Sequence, residues 1–218
     1  MNIAIDGPAG AGKSTIAKIL AKELGFIYVD TGAMYRCMTL FYIRQGISAD
    51  DSASIEKYVD EIDVGLKYID GTQHVYLNGE DVSDFIRTEE VSAMTSAVAV
   101  YPIVRAKLLD LQRNLAASND VIMDGRDIGT YVLPNAELKI YLTASVDSRA
   151  LRRYKELIEK GEDVNLDDIK SEIAQRDERD MNRETAPLKQ AEDAVYLDTS
   201  DMTIDEVVAC IKELSERD

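Results

Sequence analysis

The 218-residue chain is long enough for one domain with a substantial core, since 45% of its residues are hydrophobic. Its 25 lysines and arginines stand against 41 aspartates and glutamates, and the resulting net charge of −16 argues against binding to nucleic acid or to an anionic membrane surface. An anionic ligand of this chain must therefore be small and bound by locally clustered cations.

Short apolar runs alternate with helical patterns along the chain. The runs predicted to form buried strands are 2–5, 26–29, 121–123, 138–142 and 194–197. The first helix is predicted from about Ser14 to Leu24, because apolar residues recur with helical spacing and Gly25 is placed to end it. Strands separated by helices pair in parallel, so the chain is predicted to have an α/β fold that binds ligands at the carboxyl ends of its strands.

One stretch departs from this alternation. Residues 64–82 contain Asp70-Gly71 and Asn78-Gly79, two hairpin turn signals flanked by β-branched and aromatic residues. They predict a three-stranded antiparallel insert. His74, the only histidine, lies inside it with no partner motif around it, so we interpret it as a surface or packing residue.

The segment GPAGAGKS, residues 7–14, matches the phosphate-binding pattern G-x-x-x-x-G-K-[ST] and lies between a predicted strand and a predicted helix. In this pattern, backbone N–H groups and the helix amino terminus surround phosphate oxygens, the lysine reaches the outer phosphates and the serine can bind Mg²⁺. The predicted ATP-binding residues are Gly7, Pro8, Ala9, Gly10, Ala11, Gly12, Lys13, Ser14 and Thr15.

The pattern by itself indicates only a nucleoside triphosphate. A GTPase should also carry N-K-x-D and D-x-x-G motifs, and neither occurs in this sequence. The run VIMD places Asp124 at the end of a strand, where its carboxylate would join Ser14 near Mg²⁺; alternatively, Asp124 only begins a turn.

Arginines predict a second anionic substrate. Arg149, Arg152 and Arg153 share one face of a predicted helix. Arg176, Arg179 and Arg183 share a face of another, while Arg36 and Arg126 follow predicted strands. A salt-bridged surface arginine is the alternative for any one of them; Glu156 and Glu172, for example, stand four residues from Arg152 and Arg176. Two such faces near the ligand edge favour a phosphoryl-transfer site.

These segments together resemble the bacterial cytidylate kinases, a family of nucleoside monophosphate kinases. The resemblance spans nearly the whole chain and rests on IAIDGPAGAGKST, VDTGAMYR, GEDVSDFIRTEEVS, YPIVRAKLLDLQR, MDGRDIGT and RDERDMNRETAPL. It implies a single domain over 1–218 with a five-stranded parallel sheet, a monophosphate-binding region at about 31–105, and a lid at about 150–165. It also implies transfer of the γ-phosphoryl group of ATP to CMP or dCMP, with Mg²⁺.

The resemblance also assigns residues of the acceptor site. Ser96, Arg105 and Asp127 resemble the family's cytosine readers, and Asp180 and Arg183 its sugar contacts. Tyr35, Arg36 and Arg126 resemble its acceptor-phosphate group. Thr31 stands where many relatives carry serine, and its hydroxyl would keep the sugar contact. A carboxylate suits cytosine because it accepts from the N4 amino group, whereas uracil presents an oxygen at that position.

The catalytic residues expected from this reading are Lys13, Arg126, Arg149, Arg152, Arg153 and Arg183. The alternatives are a related kinase that uses UMP as a main acceptor and a non-catalytic regulatory protein with a phosphate-binding loop. We expect a monomer without nucleic-acid or membrane partners. We also expect a soluble cytoplasmic protein, because the amino terminus lacks the pattern of a signal peptide, residues 91–104 are too polar to span a bilayer, and Cys37 and Cys210 form no disulfide or metal-ligand pattern.

Overall fold

The computed structural model describes residues 1–216, which form two sheets and eight helices. The strands are β1 (Asn2–Asp6), β2 (Ile27–Asp30), β3 (Val64–Ile69), β4 (Thr72–Leu77), β5 (Glu80–Asp81), β6 (Val121–Gly125), β7 (Leu138–Thr143) and β8 (Val195–Asp198). The helices are α1 (Lys13–Leu24), α2 (Thr31–Arg44), α3 (Ser52–Tyr58), α4 (Glu89–Val98), α5 (Pro102–Ser118), α6 (Val146–Glu159), α7 (Leu166–Asn182) and α8 (Ile204–Ser215). None of the helices among these residues is long and apolar enough to cross a membrane.

The five predicted strands form a parallel sheet in the order β2-β6-β1-β7-β8. Alternate residues of each strand face opposite sides of the sheet, so β1 places Ile3 and Ile5 in one apolar core with α1 and α8, and Ala4 in a second core with α2 and α5. Both faces are therefore covered, as the continuous apolar runs predict. Asp30 lies opposite Asp124 in the register, which brings two carboxylates to the carboxyl edge.

Helix α1 begins one residue earlier than predicted. Gly12 and Gly25, at its two ends, both have left-handed backbone conformations with φ of 90° and 72°, which a side chain would strain. Ile16 and Leu20 are buried against the sheet, and burying such side chains contributes about 1.5–3 kcal/mol each. The helix therefore holds the end of the glycine-rich loop against the core.

The predicted antiparallel insert is present as β3, β4 and β5. Asp70-Gly71 and Asn78-Gly79 all have positive φ, the geometry of tight hairpin turns. Val64, Val75 and Leu77 pack in the same apolar core as α2. His74 pairs with Asp81 inside the insert, its Nδ1 lying 2.8 Å from a carboxylate oxygen, in agreement with its interpretation as a surface residue.

Helices α6 and α7 form a separate helical pair. Their facing apolar side chains, Ala150, Leu157, Ile169 and Ile173, make a small cluster apart from the two main cores. The connection between them contains Gly161 with φ 81°. So small a buried surface stabilises the pair only weakly against motion.

Candidate functional site

A cavity of about 690 Å³ opens at the carboxyl edge of the parallel sheet. Apart from Gly7, Pro8 and Arg179, every residue predicted for the site lines it. Arg87 and Asp30 also line the cavity, and the sequence analysis did not assign them to the site. Side chains from the glycine-rich loop, α2, α4, α5, α6 and α7 thus meet around one space.

The glycine-rich loop wraps the amino terminus of α1. Gly7 lies behind the cavity, where a Cβ would stand 1.9 Å from the Leu142 carbonyl oxygen, so only glycine fits. The Lys13 side chain is 6% exposed, and its Nζ donates to the Pro8 carbonyl at 2.7 Å. Burial lowers the pKa of the Lys13 ammonium well below its ordinary value, and the nearby Arg126 adds to this effect. The negative charge of a phosphate bound at the loop would offset the effects of burial and of Arg126 on the Lys13 ammonium.

Ser14 and Asp124 meet at the mouth of this loop. The Ser14 hydroxyl donates to a carboxylate oxygen of Asp124 at 2.7 Å, and the Tyr28 hydroxyl donates to the other oxygen at 3.1 Å. Burial raises the pKa of Asp124, and the neighbouring Asp30 raises it further. No cluster of three or more acidic, histidine or cysteine ligands exists within residues 1–216. The hydroxyl and carboxylate are nevertheless hard oxygen donors of the kind that Mg²⁺ uses beside phosphates and waters.

The Arg149 side chain supports the glycine-rich loop from beneath. It is 4% exposed, and its Nη1 donates to the Ala9 carbonyl at 2.8 Å. Its Nε donates to Ala144 and its Nη2 to Asp177. Since every guanidinium nitrogen already has a protein acceptor, the structure does not place Arg149 as a free phosphate-binding group.

Arg152 and Arg153 differ from Arg149 and from each other. Arg152 donates to the hydroxyl and the carbonyl of Thr199, in the loop after β8. Arg153 is 47% exposed and pairs with Glu156 at 2.9 Å. The helix-face pattern correctly predicts that all three arginines reach the cavity, but only Arg153 is held by a solvent-exposed partner that a ligand could readily replace.

Asp30 organises the opposite wall of the cavity. Its carboxylate caps α2 by accepting from the Ala33 N–H at 2.8 Å, and it also accepts from Arg36 and Arg87. The Nε of Arg36 is buried without a hydrogen-bond partner among the described residues. Thr31 donates from its hydroxyl to the Asp124 carbonyl at 2.7 Å. The unpartnered N–H marks Arg36 as a donor available to an anion.

A second group of cations comes from β6 and α7. Arg126 donates to Asp180 at 2.9 Å, and Arg183 donates to the Ala186 carbonyl at 2.6 Å. Arg176 lines the same cavity, and its buried Nε has no hydrogen-bond partner within the described part of the chain. Burial lowers the pKa of Arg176 and of Arg183; Arg126 lowers both further, and the Asp180 carboxylate opposes this in both.

The arginine face predicted on α7 is only partly correct. Arg176 and Arg183 line the cavity, whereas Arg179 lies outside it and donates to the backbone carbonyl of Gln175. Arg183 is the residue that follows the end of α7. Its position therefore depends on the loop after the helix, which the i, i+3, i+7 spacing does not describe.

The predicted base readers lie at the deep end of the cavity. Arg105 and Asp127 are 4% and 5% exposed and form a hydrogen-bonded ion pair. Burial raises the pKa of Asp127, and the surrounding arginines oppose that rise. The Arg105 guanidinium also lies 5.6 Å from the centre of the Tyr35 ring. Ser96 lines the cavity beside them.

The other end of the cavity, beyond the glycine-rich loop, is more apolar. Thr199, Met202, Ile204 and Val207 line it. Ser200, the residue after Thr199, donates to Asp198 and does not line the cavity. The cavity lining thus combines a phosphate-binding loop, a cluster of arginines, the buried Arg105–Asp127 pair and an apolar patch that includes residues of α8. This arrangement suits transfer of a phosphoryl group between two anions, because positioning and charge stabilisation dominate that chemistry.

Comparison with known families gives one match over nearly the whole chain. The family model described as "Cytidylate kinase" matches residues 3–217. A cytidylate kinase of Lactobacillus johnsonii is 52% identical over 217 residues, which cover 100% of this chain and 94% of that protein. A cytidylate kinase of Caldicellulosiruptor bescii is 51% identical over 214 residues, covering 98% of this chain and 95% of that protein.

A solved structure shares the fold at much lower sequence identity. An uncharacterised protein from Eubacterium ventriosum superposes with a TM-score of 0.52 at 12% identity, covering 100% of this chain and 99% of that chain. This likeness concerns the arrangement of the sheet and helices alone.

Proposed function

The chain belongs to the cytidylate kinase family, and we propose that it transfers the γ-phosphoryl group of ATP to the 5′-phosphate of CMP or dCMP, giving ADP and CDP or dCDP. The observation that carries this proposal is the buried Arg105–Asp127 pair, which shares one cavity with the glycine-rich loop. The pair offers cytosine a carboxylate acceptor at a fixed distance from the phosphate site.

We propose that the glycine-rich loop, Gly7 to Thr15, holds the triphosphate of ATP. Lys13 neutralises charge on the outer phosphates, and Arg149 holds the loop through the Ala9 carbonyl. The bond between the γ-phosphorus and the bridging oxygen of ADP breaks as a bond to the CMP phosphate oxygen forms. Because the acceptor is already an anion, no protein group needs to remove a proton from it.

Arginines on the acceptor side would bind the CMP phosphate. Arg176 joins Tyr35, Arg36 and Arg126 in this proposal, because its unpartnered Nε is available to an anion. Asp180 fixes Arg126 and would contact the sugar together with Arg183 and Thr31. We assign residues 31–105 to the acceptor side of the single domain and residues 150–165 to a lid that closes over it.

Ser14 and Asp124 would hold Mg²⁺ at the phosphates. Their oxygens are adjacent, and both lie at the mouth of the loop. When bound, the ion supplies positive charge to the phosphate oxygens of ATP. Tyr28 and Thr31 keep Asp124 in place by binding its side chain and its carbonyl.

An acceptor series tests the proposed function. Purified protein is assayed with ATP and each of CMP, dCMP and UMP, and CMP or dCMP is expected to give the highest kcat/KM. Asp127→Asn should then lower kcat/KM for CMP by about 10²-fold or more and that for UMP far less, because its amide N–H₂ faces the cytosine amino group but can donate to uracil.

Two results would contradict the proposal. A wild-type protein that prefers UMP would make this a kinase for another pyrimidine nucleotide, and equal losses with both acceptors would remove Asp127 from base recognition. ATP turnover that does not rise when CMP is added would favour a regulatory protein. Asp120→Asn is the matched control, since Asp120 is an exposed carboxylate outside the cavity.

We also propose that the monomer is active and that its partners are small molecules only. Residues of one chain contribute both substrate regions of the cavity, so no second subunit is needed to complete it. The net charge of −16 opposes binding to nucleic acid. Gel filtration at assay concentrations tests the oligomeric state.

A further inference from the structure

Asp6 is the last residue of β1 and directly precedes the glycine-rich loop. Its side chain is 5% exposed and does not line the cavity. The two carboxylate oxygens accept from the backbone N–H groups of Ile128, at 2.8 Å, and Gly129, at 2.7 Å. A buried carboxylate beside the phosphate loop is thus fully used to hold a distant segment of the chain.

That segment is a single wide helical turn, Ile128–Val132, with i→i+5 hydrogen bonds. The first N–H groups of a helical turn have no partners within it, and Asp6 supplies acceptors for the first two of them here. The space is tight, because a Cβ on Gly129 would lie 3.4 Å from the Asp6 carboxylate and 3.2 Å from the Lys139 side chain. The amino end of the turn is therefore fixed against the end of β1.

The carboxyl end of the turn is fixed as well. Arg113, an exposed residue of α5, donates to the carbonyls of Tyr131 at 2.9 Å and Val132 at 3.0 Å. A carboxylate at one end and a guanidinium at the other thus hold a wide turn, a conformation that is rare except at functional sites.

The turn carries groups that surround the base-reading arginine. Asp127 is the residue immediately before it and forms an ion pair with Arg105. Tyr131 lies within it, and its ring centre is 5.8 Å from the Arg105 guanidinium. A displacement of this turn would move the carboxylate and the ring together relative to Arg105.

We propose that Asp6 is a positioning residue that sets Asp127 at a fixed place relative to the phosphate loop and so supports selection of the acceptor base, an inference that rests on the proposed function. The main chain of Asp6 pairs with Gly125 on one side and Tyr141 on the other, and Gly7 follows it. One residue therefore ties the start of the ATP loop to the turn that presents the base reader. Phosphoryl transfer between two bound nucleotides needs the ATP loop and this turn at a fixed relative position, since the reacting atoms must lie about 3–3.5 Å apart.

Asp6→Asn tests the inference, because it keeps the size of the side chain but turns one acceptor into a donor that faces a backbone N–H. The full-length protein is assayed for kcat and KM with CMP, UMP and ATP. We expect kcat/KM for CMP to fall about tenfold or more, kcat/KM for UMP to fall less, and KM for ATP to change less than about twofold.

Asp51→Asn is the matched control. Asp51 also accepts a backbone N–H, from Ser54 at 3.0 Å, but at the start of α3 and away from the cavity. This change should leave the ratio of CMP to UMP efficiency unaltered.

Arg113→Ala provides a second test that does not depend on a buried substitution. It loosens the other end of the same turn from an exposed position, and it should lower the ratio of CMP to UMP efficiency without changing KM for ATP.

Equal losses for CMP and UMP with a matching rise in KM for ATP would show that Asp6 supports only the phosphate loop and would overturn the inference. Unchanged selectivity in both variants would overturn it as well. A wild-type protein that does not phosphorylate CMP would instead contradict the proposed function, so the two failures are distinguishable.

Discussion

The positive charge of Lys13 is expected to stabilise bound phosphates, whereas folding of the free protein does not require that charge. Its ammonium is buried and its pKa is lowered by that burial, so removing the charge relieves a desolvation cost in the free protein. We expect Lys13→Met to lower kcat by about 10³-fold or more, because charge stabilisation dominates phosphoryl transfer. The melting temperature should not fall. Steady-state kinetics and thermal unfolding together measure both effects, and a near-normal kcat would remove Lys13 from the mechanism.

Asp6 also predicts a pH dependence of stability. Burial raises its pKa from 3.8 to about 6, despite the backbone N–H groups of Gly129 and Ile128 and the nearby Lys13, which lower it. Between these two values the folded protein binds more protons than the unfolded chain, so this contribution is present below about pH 4 and is lost as pH rises through 6. The loss amounts to about 3 kcal/mol at 1.36 kcal/mol per pKa unit.

Urea titrations of the wild type and Asp6→Asn at pH 4 and pH 7 measure this contribution. The difference in unfolding free energy, wild type minus variant, should fall by about 2 kcal/mol over that range, which is most of the full loss, because asparagine does not titrate. A difference that stays constant would place the pKa of Asp6 near its ordinary value.

At the scale of elements, the α6–α7 pair is suited to move as a lid. Its apolar cluster is small, Gly161 lies in its connection, and the polar links between the two helices include the buried Arg149–Asp177 pair and an exposed Lys170–Asp147 ion pair of 2.8 Å. We expect the amides of 150–165 to exchange rapidly in the free protein and to be protected when ATP and CMP analogues bind together, because Arg153 then gains a phosphate partner. Hydrogen exchange measures this directly.

Kinetics of Arg153→Ala complete the lid prediction. The variant should lower kcat more than it raises KM for CMP, because the contact strengthens as charge shifts during transfer. Lys155→Ala removes the same charge from an exposed position of α6 outside the cavity and serves as the control. Unchanged protection of 150–165, or a defect confined to KM for CMP, would contradict the lid.

The elements that the sequence predicts well are those with local causes. Apolar runs locate all five parallel strands within one or two residues, and paired turn residues such as Asp70-Gly71 locate the insert. The turn at Ile128–Val132 is different, because its apolar sequence does not indicate a helix and its N–H acceptors belong to Asp6, 122 residues away. Long-range partners of this kind leave no local pattern.

The same limit applies to the arginines of the candidate site. Helical spacing places Arg149 and Arg153 on one face, and both reach the cavity. The sequence cannot show that carbonyls from two other segments occupy Arg149, or that Arg176 keeps an unpartnered N–H while Arg179 turns away. An arginine is available to a substrate only where no carbonyl or carboxylate of the protein already accepts its N–H groups. Those acceptors come from distant parts of the sequence and meet the arginine only in the folded chain.

At the scale of the whole molecule, an acidic chain encloses a cationic cavity. The net charge is −16, yet the cavity gathers Arg36, Arg126, Arg176 and Arg183, and neighbouring cations help to lower the pKa of the last two. Surface repulsion destabilises the compact state and is screened by salt. Repulsion inside the cavity is relieved by an anionic ligand instead.

The two effects should respond to salt in opposite directions. Raising NaCl from 0.05 to 0.5 M should raise the melting temperature of the free protein, because it screens repulsion among surface carboxylates. CMP at about 100 times its Kd should stabilise the fold by about 2.7 kcal/mol, or roughly 5–10 °C for a chain of this size, at low salt. At a fixed CMP concentration that shift should shrink as salt rises, because the arginine–phosphate attraction is weakened.

Thermal unfolding over a grid of salt and CMP concentrations measures both slopes, with cytidine as the uncharged control. A CMP shift that grows with salt, or one that cytidine reproduces, would mean that the arginines of the cavity do not bind the phosphate.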